Sequence, residues 1–336
     1  MQNVNFIAEV SANHLGSFER AKEIVRAAAR AGATAVKFQT YTAATMTLDN
    51  DKFKISTNHQ LWGGRRLFDL YDEAHTPWEW HKELFSLARE VGVIPFSSPF
   101  DISAIEFLED LDTPMYKIAS METGDLNLIR AAAETGKPII MSTGATELEE
   151  IDNAVACIEK VGNENLTLLL CTSSYPAQPS DANLNRLGLL RDRYGYKVGL
   201  SDHTLGIGVS LAALTLGAVA IEKHLTLKRL DGGADGAFSM EPDEFATLVA
   251  EGINVLESIG DREWKIQASE QESRRLRRSL YVVKDVAKGE VISNENLRAI
   301  RPNGGLECKF YDELIGRKFA QDIVGGTPMR MEYACE

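Results

Sequence analysis

The chain has 336 residues, 44% hydrophobic and 25% charged, which is enough for one large folded domain and a smaller one. Its net charge of −13 argues against a nucleic-acid partner, because binding to phosphates needs clustered cations. No signal-like segment precedes the first predicted strand, and no apolar run approaches the ~20 residues that cross a bilayer. We therefore expect a cytoplasmic protein with no membrane partner.

Strand-like and helix-like segments alternate from Asn5 to Gly260. Short apolar runs predict strands at Phe6–Val10, Ala35–Phe38, Val93–Ser97, Met115–Ala119, Pro138–Ser142, Leu166–Cys171, Lys197–Leu200 and Ala218–Lys223. Helical spacing is found at Ser17–Ala31, Trp78–Val91, Asp125–Thr135, Leu148–Val161 and Glu241–Ile259. Such alternation over about 250 residues is typical of an α/β TIM (β/α)8 barrel. A doubly wound open sheet is the alternative, but no GxGxxG turn follows the first strand.

The connection from Thr40 to Thr76 is too long for a plain loop between a strand and a helix. Connections of that length in compact domains tend to be functional. This one contains aromatic and basic residues, including Trp62, Arg65 and Tyr71. We expect it to cover the open end of the barrel.

After residue 260 the regular alternation of strand-like and helix-like segments stops. We therefore predict a barrel at 1–262, a linker at 263–278 and a small domain at 279–336. The run Ser279–Ser293 predicts a strand, a turn at Lys288-Gly289 and a second strand. A domain of this size with few apolar residues in regular patterns is marginal by itself. We expect it to have little core of its own and to pack on another surface.

Polar residues end nearly every predicted strand of the barrel. They are Glu9, Lys37, Ser98, Lys117, Ser142, Thr172, Ser201, His203, Glu222 and His224. In a TIM barrel the catalytic groups come from the carboxyl ends of the strands. Residues two apart in a strand share a face, so Ser201 with His203, and Glu222 with His224, are expected to point together.

Two histidines on consecutive strands predict a metal site. A single histidine at a strand end is more often a packed, hydrogen-bonded residue, but His203 and His224 end neighbouring strands and can share one ion. Water, Glu222 or Asp235 and the substrate would complete the ligand shell. Nitrogen and oxygen ligands suit Mn²⁺, Mg²⁺ or Co²⁺, which can polarise a carbonyl.

Two lysines at strand ends leave two chemical interpretations open. Lys37 and Lys117 could bind a phosphorylated, anionic substrate, or one of them could form a Schiff base with a carbonyl. Hydroxyl groups at Ser98, Ser120 and Ser201 favour anion binding. A pyruvate aldolase of the Schiff-base type remains the alternative.

Eight segments in order resemble the sialic acid synthases: FIAEVSANHLGS, AVKFQTY, PFSSPFD, YKIAS, KPIIMSTG, LLLCTSSYP, GLSDHT and IEKHLT. The resemblance covers essentially the whole chain, and LYVVKDVAKGEVISNENLRAIRPNGG is similar to the antifreeze-like (SAF) domain of that family. It implies a metal-dependent transferase that condenses phosphoenolpyruvate with an amino sugar to a nine-carbon 2-keto acid. Within the family, TPWEW at Thr76–Trp80 resembles members whose acceptor is a 2,4-diacetamido-2,4,6-trideoxy-altrose.

The resemblance also implies roles for individual residues. Phosphoenolpyruvate would be held by Lys37, Lys117, Ser120, Ser173 and Ser201, with Ser98 nearby. The metal ligands would be His203 and His224. Glu9 would lie near the reacting carbons or the attacking water. Gln39, Tyr175 and Asp235 would face the sugar, and Arg301 would reach the acceptor from the second subunit of a domain-swapped homodimer.

Two other functions are weighed against this one. Members of the same family that make N-acetylneuraminate or legionaminate differ only in the acceptor sugar. A non-catalytic carbohydrate-binding protein is a more distant alternative, and it predicts no need for the lysines and histidines at the strand ends.

Overall fold

The computed structural model of the chain describes residues 4–58 and 62–336, and its first eight strands close into a parallel barrel in sequence order. The strands are β1 Asn5–Glu9, β2 Ala35–Thr40, β3 Ile94–Pro99, β4 Tyr116–Ile118, β5 Ile139–Ser142, β6 Leu166–Cys171, β7 Lys197–Ser201 and β8 Ala220–His224. The last strand pairs with the first, with His224 opposite Glu9. The TIM barrel predicted from the sequence is confirmed, and the open doubly wound sheet is excluded.

Helices connect successive strands and pack outside the barrel. In the described part of the chain they are α1 Phe18–Arg30, α2 Ala43–Met46, α3 Leu67–Ala74, α4 Trp78–Glu90, α5 Ile102–Asp110, α6 Leu126–Glu134, α7 Leu148–Lys160, α8 Arg186–Tyr194, α9 Gly208–Thr215 and α10 Pro242–Ile259. Their buried faces and the outward side chains of the strands form the main core, for example Phe85 of α4, which stacks on Phe38 of β2. No helix in the described residues is long and apolar enough to span a bilayer.

Side chains that point into the barrel change from apolar to polar along each strand. An apolar layer is formed by Ile7, Ala35, Phe96, Ile140, Leu169 and Ala220. Two residues further along the same strands are Glu9, Lys37, Ser98, Ser142, Cys171 and Glu222. Because residues two apart share a face, this polar layer lies directly above the apolar one, at the carboxyl ends of the strands.

The connection between β2 and α4 contains two helices that the sequence did not predict, α2 and α3. Lys54 and Arg66 form an antiparallel bridge between them, and Leu67 donates its amide to Phe53 O at 3.0 Å. Residues of this connection line the cavity at the mouth of the barrel.

The chain divides into two compact units, Met1–Gly260 and Asp261–Glu336. The second contains α11 Gln271–Arg275, α12 Tyr311–Leu314 and two antiparallel pairs, β9 Ser279–Val282 with β10 Leu297–Ile300 and β11 Lys318–Phe319 with β12 Ala334–Cys335.

The expectation that the second unit has little core of its own is wrong. Its buried apolar residues form one cluster: Leu280, Val282, Val286, Ile292, Leu297, Leu314, Phe319, Ile323 and Met329. Four of the nine, Val286, Ile292, Ile323 and Met329, lie outside the helices and strands, and the others come from elements of two to four residues, which are too short to show a periodic pattern. The predicted strand after Gly289 is likewise only an isolated bridge between Val291 and Lys318.

Candidate active site

Four oppositely charged side chains meet inside the mouth of the barrel. Lys37 Nζ lies 2.6 Å from Glu9 Oε2 and 3.5 Å from Glu222 Oε1, and Lys117 Nζ lies 3.9 Å from the same Glu222 oxygen. All four side chains are at most 4% exposed. The two ammonium groups and the two carboxylates have no net charge together, which lowers the free-energy cost of burying them. We call Glu9, Lys37, Lys117 and Glu222 the charge cluster.

The two carboxylates of the charge cluster differ in their proton affinity. Burial raises the pKa of Glu9, although the neighbouring Lys37 ammonium acts in the opposite direction. Burial also acts on Glu222, but the ammonium groups of Lys117 and Lys37 outweigh it and lower the pKa of that carboxyl. Glu222 is therefore the fixed negative charge between the lysines, and Glu9 is the group better suited to exchange a proton.

The two lysines are not equivalent either. Lys37 is ion-paired with both carboxylates, whereas burial lowers the pKa of Lys117. The carboxylate partner of Lys117 is Glu222, whose Oε1 lies 3.9 Å from Lys117 Nζ. An anion that enters the cavity would give Lys117 a second negative partner. The cluster thus has a cationic side that is incompletely neutralised.

Hydroxyl groups surround the charge cluster. Ser201 donates to Glu222 Oε1 at 3.1 Å, and Lys37 Nζ donates to Ser98 Oγ at 3.4 Å. Ser201, Ser120 and Ser142 line the cavity, whereas Ser98 is fully buried behind Lys37.

Gly144 makes room for a close approach of three polar side chains. A Cβ at this position would lie within 3.0 Å of Ser173 Oγ, Ser120 Oγ and Cys171 Sγ. Ser120 Oγ also accepts the Gly144 amide at 3.0 Å. The sequence KPIIMSTG therefore ends β5 with the one residue type that leaves this space open.

The imidazoles of His203 and His224 lie side by side, with ring centroids 5.3 Å apart. His203 Nδ1 lies 3.0 Å from Thr172 O, and as a donor there it would leave Nε2 with a lone pair. His224 Nδ1 is buried without a hydrogen-bond partner and lies 3.7 Å from Asp235 Oδ2. Burial and the neighbouring His203 lower the pKa of His224, which keeps it neutral as a metal ligand must be.

These residues fit a divalent cation only in part. His224 is a neutral imidazole with an unpartnered nitrogen, and the Asp235 carboxylate lies nearby. Nitrogen and oxygen atoms of this kind are suitable ligands for a divalent metal ion. Within residues 4–58 and 62–336, no three His, Cys, Asp or Glu side chains are arranged as a metal cluster. Substrate or water oxygens would have to complete the shell.

The residues predicted to face the sugar divide into two groups. Gln39 donates to Glu9 Oε1 at 3.1 Å and to Ser11 Oγ at 3.0 Å, and the Tyr175 ring lies 4.5 Å from that of His203. Asp235 accepts hydrogen bonds from Ser11 Oγ and the Ala12 amide. These three line the same cavity. Arg301 is exposed and belongs to the second unit.

A single cavity of about 400 Å³ joins these groups, a volume within the usual range for small-molecule sites. Glu122 and Cys171 line this cavity, and the sequence did not point to either of them as a site residue. Burial raises the pKa of Glu122 to about 7, and Glu122 Oε2 is buried without a partner. Burial acts to raise the pKa of the Cys171 thiol, but His203, Ser120 and Lys117 lower it to about 7. Cys171 ends β6, so the strand-end rule could have found it; Glu122 ends a single 3-10 turn, Ser120–Glu122, that follows β4.

A closed parallel barrel with paired charges and imidazoles at the carboxyl ends of its strands is the arrangement of a TIM-barrel enzyme. Sequence comparison narrows the class: the NeuB family matches residues 24–264, and the SAF domain matches residues 277–332. The chain belongs to the NeuB family, and the resemblance carried by its strand-end motifs is confirmed.

Individual relatives cover nearly the whole chain. The pseudaminic acid synthase of Helicobacter pylori is 43% identical over 98% of this chain and 97% of its own. An N,N'-diacetyllegionaminic acid synthase of Campylobacter jejuni is 35% identical over 94% of this chain and 96% of its own. Among solved structures, the N-acetylneuraminic acid synthetase of Leptospira borgpetersenii matches with a TM-score of 0.72 at 33% identity, covering 81% of this chain and 90% of its own.

Proposed function

We propose that this enzyme acts as a pseudaminic acid synthase, which condenses phosphoenolpyruvate, 2,4-diacetamido-2,4,6-trideoxy-L-altrose and water to pseudaminate and inorganic phosphate. One observation carries the choice of acceptor: the 43% identity to the Helicobacter pylori pseudaminic acid synthase, against 35% to a legionaminic acid synthase over a similar share of the chain. The site supports the reaction class, because its cationic side suits the carboxylate and phosphate of phosphoenolpyruvate.

The lysines have the first role in this mechanism. Lys37 and Lys117 hold the anionic groups of phosphoenolpyruvate, with Ser120, Ser173 and Ser201 donating hydrogen bonds. The buried site increases the strength of these contacts, because little water screens them. The enol carbon C3 is thereby fixed next to the acceptor, which Gln39, Tyr175 and Asp235 orient.

A divalent cation held by His203 and His224 would supply Lewis-acid polarisation of the sugar aldehyde. C3 of phosphoenolpyruvate forms the new bond to the aldehyde carbon, and the positive charge that develops at C2 is quenched by water. Glu9 positions this water and accepts its proton; the raised pKa of Glu9 brings its basicity nearer to neutral pH. The resulting hemiketal phosphate loses inorganic phosphate by cleavage of its C–O bond.

The quaternary arrangement is part of the same proposal. The enzyme would be a domain-swapped homodimer in which Arg301 of one copy reaches the acceptor in the other, and the exposure of Arg301 is compatible with this role. The identity of the metal as Mn²⁺, Mg²⁺ or Co²⁺ and the cytoplasmic location stay predictions of the sequence.

Turnover with matched acceptors tests the proposal. The enzyme, phosphoenolpyruvate and Mn²⁺ are incubated with the diacetamido altrose, with the legionaminate precursor sugar or with N-acetylmannosamine, and phosphate release and product mass are measured. We expect the highest specificity constant for the altrose and no product from a Lys117→Met control. A preference for either other sugar would assign the enzyme to the corresponding synthase. Borohydride trapping of pyruvate on Lys37 or Lys117 would favour the Schiff-base aldolase.

A further inference from the structure

The segment between β2 and α4 has two chemically different faces. Its charged side chains pair with one another away from the cavity: Arg66 contacts Asp49 and lies 3.3 Å from Asp51, and Arg65 pairs with Glu73. Asp49, Asp51 and Glu73 are exposed. None of the charged residues described in this segment lines the cavity.

The other face of the segment forms one side of the active-site cavity. Its lining residues include Tyr41, Met46, Ile55, Leu67, Leu70 and Tyr71, which we call the apolar wall. The rings of Tyr41 and Tyr71 pack edge to face, 5.9 Å apart, and Tyr41 packs in the same way against Phe100 at 5.1 Å. Backbone hydrogen bonds hold the wall in place, including Ile55 N to Arg65 O at 2.9 Å.

The apolar wall lines the same cavity as Lys37, Lys117 and Glu222 of the charge cluster, and the two regions differ in what they can bind. A phosphate or carboxylate group gains nothing from aliphatic and aromatic carbon, and a sugar hydroxyl placed there loses hydrogen bonds to water. A methyl group gains from the same surface, because its transfer out of water is favourable. The wall therefore suits the part of an acceptor that has lost its hydroxyls.

We propose that the apolar wall selects acceptor sugars in which hydroxyl groups are replaced by methyl-bearing groups, namely an acetamido group at C4 and a methyl group at C6. This inference rests on the proposed synthase function and extends it to the residues that choose the acceptor. Tyr41, Met46, Leu67 and Tyr71 determine specificity in this way and take no part in the bond-forming steps.

The unmodified enzyme provides the first test. The diacetamido altrose is compared with its 6-hydroxy analogue, which differs only in carrying CH₂OH in place of the C6 methyl group. We expect the specificity constant kcat/KM to fall roughly 10- to 100-fold for the analogue, the range over which apolar pockets reject an added hydroxyl. Equal specificity constants for the two diacetamido sugars would overturn the role of the wall while leaving the synthase function intact.

Two variants and a matched control provide the second test. Met46→Gln and Leu67→Gln place an amide in the wall, whereas Leu48→Gln makes the same kind of change at a side chain that is 65% exposed and outside the cavity. In M46Q and L67Q we expect the ratio of specificity constants for the two sugars to shrink to about threefold or less, with KM for phosphoenolpyruvate unchanged within twofold. L48Q retains the wild-type ratio.

The ratio is measured on one enzyme sample, so a loss of folded protein cancels from it. Retention of the wild-type ratio in both M46Q and L67Q, or an equal loss in L48Q, would contradict the inference. A preference of the wild-type enzyme for N-acetylmannosamine over both diacetamido sugars would overturn the proposed acceptor and the role of the wall together.

Discussion

The four residues of the charge cluster explain how a buried site can be ready for a trianionic ligand. Glu222 favours the charged forms of Lys37 and Lys117, and Glu9 lies 2.6 Å from Lys37 Nζ. Without these carboxylates, burial would favour neutral lysines. The carboxylates therefore maintain the charges that phosphoenolpyruvate needs, at the cost of competing with it for the same ammonium groups.

His224→Ala tests the metal ligand at the residue scale. His224 Nδ1 has no hydrogen-bond partner, so its removal is expected to leave the fold intact. We expect condensation to fall by at least about 10²-fold, because a single stabilising contact to a reacting oxygen has that value. Phosphate release is measured after EDTA treatment and readdition of Mn²⁺, and calorimetry measures Mn²⁺ binding. Restoration of wild-type turnover in H224A by Mn²⁺ would remove His224 from the proposed ligand set.

Glu122→Gln tests the protonation of a buried carboxyl. Burial raises the pKa of Glu122 from 4.5 to about 7, so between these values the folded state keeps a proton that the unfolded chain has released. Stability from this group is therefore fully present below pH 4.5 and is lost as the pH rises towards 7. We expect E122Q to raise the melting temperature by roughly 6–12 °C at pH 8 and not at pH 4.5, because the pKa change corresponds to about 3 kcal/mol.

The exposed Glu164→Gln is the control for that experiment, with no change expected at either pH. An equal effect of E122Q at both values would mean that packing, and not the carboxyl proton, determines its stability.

The sequence was sufficient to predict where Lys37, Lys117, His203 and His224 lie, because each follows a short apolar run and strand ends converge in a barrel. It was insufficient for Glu122. This residue lies in a connection without periodicity, and its place in the cavity depends on how that connection folds back over the strand ends. Its signal is three-dimensional: burial, a missing hydrogen-bond partner and a place in the cavity wall.

At the scale of elements, a second buried ion pair fixes the segment that holds His203. Asp202 accepts hydrogen bonds from the Thr204 amide and hydroxyl, from Ser210 Oγ and from Lys223 Nζ at 3.0 Å. Lys223 also donates to Thr204 O at 2.7 Å. The pair joins the end of β7 to β8 immediately beside the two imidazoles.

Lys223→Met is expected to destabilise the barrel by about 3 kcal/mol, at the lower end of the range for breaking a buried pair, since three donors to Asp202 remain. Urea unfolding followed by fluorescence measures this loss. The exposed Lys197→Met on β7 is the matched control, within about 0.5 kcal/mol of wild type. If the double variant with Asp202→Asn loses the full sum of the two single effects, the side chains are not coupled.

The elements themselves differ in how far the sequence predicts them. Each barrel strand contains a short apolar stretch and alternates with a helical segment, so the sequence pattern identifies it. Ile323 and Met329 in the second unit, and Ile55 in the connection after β2, are buried or cavity-lining apolar residues that lie outside the helices and strands. Their partners are distant in sequence, and only the folded chain reveals that they form a core or a cavity wall.

At the scale of the whole molecule, each of the two units has a hydrophobic core of its own. A unit that is internally stable can exchange between copies without unfolding. The proposed role of Arg301 in the site of the other copy therefore needs a test that separates action within one chain from action between chains.

Complementation between two inactive variants makes that separation. Lys117→Met disables the barrel of one chain, and Arg301→Ala disables the second unit of the other. In a swapped dimer, a mixed pair contains one site with an intact Lys117 from one chain and an intact Arg301 from its partner. Random pairing makes half of the dimers mixed, each with one of two sites restored, so co-expression is expected to recover about a quarter of wild-type activity. Each variant expressed alone, at the same total concentration, provides the background rate. Mixed dimers can be purified with two different affinity tags. If they are no more active than this background, Arg301 acts in the site of its own chain or takes no part in the reaction.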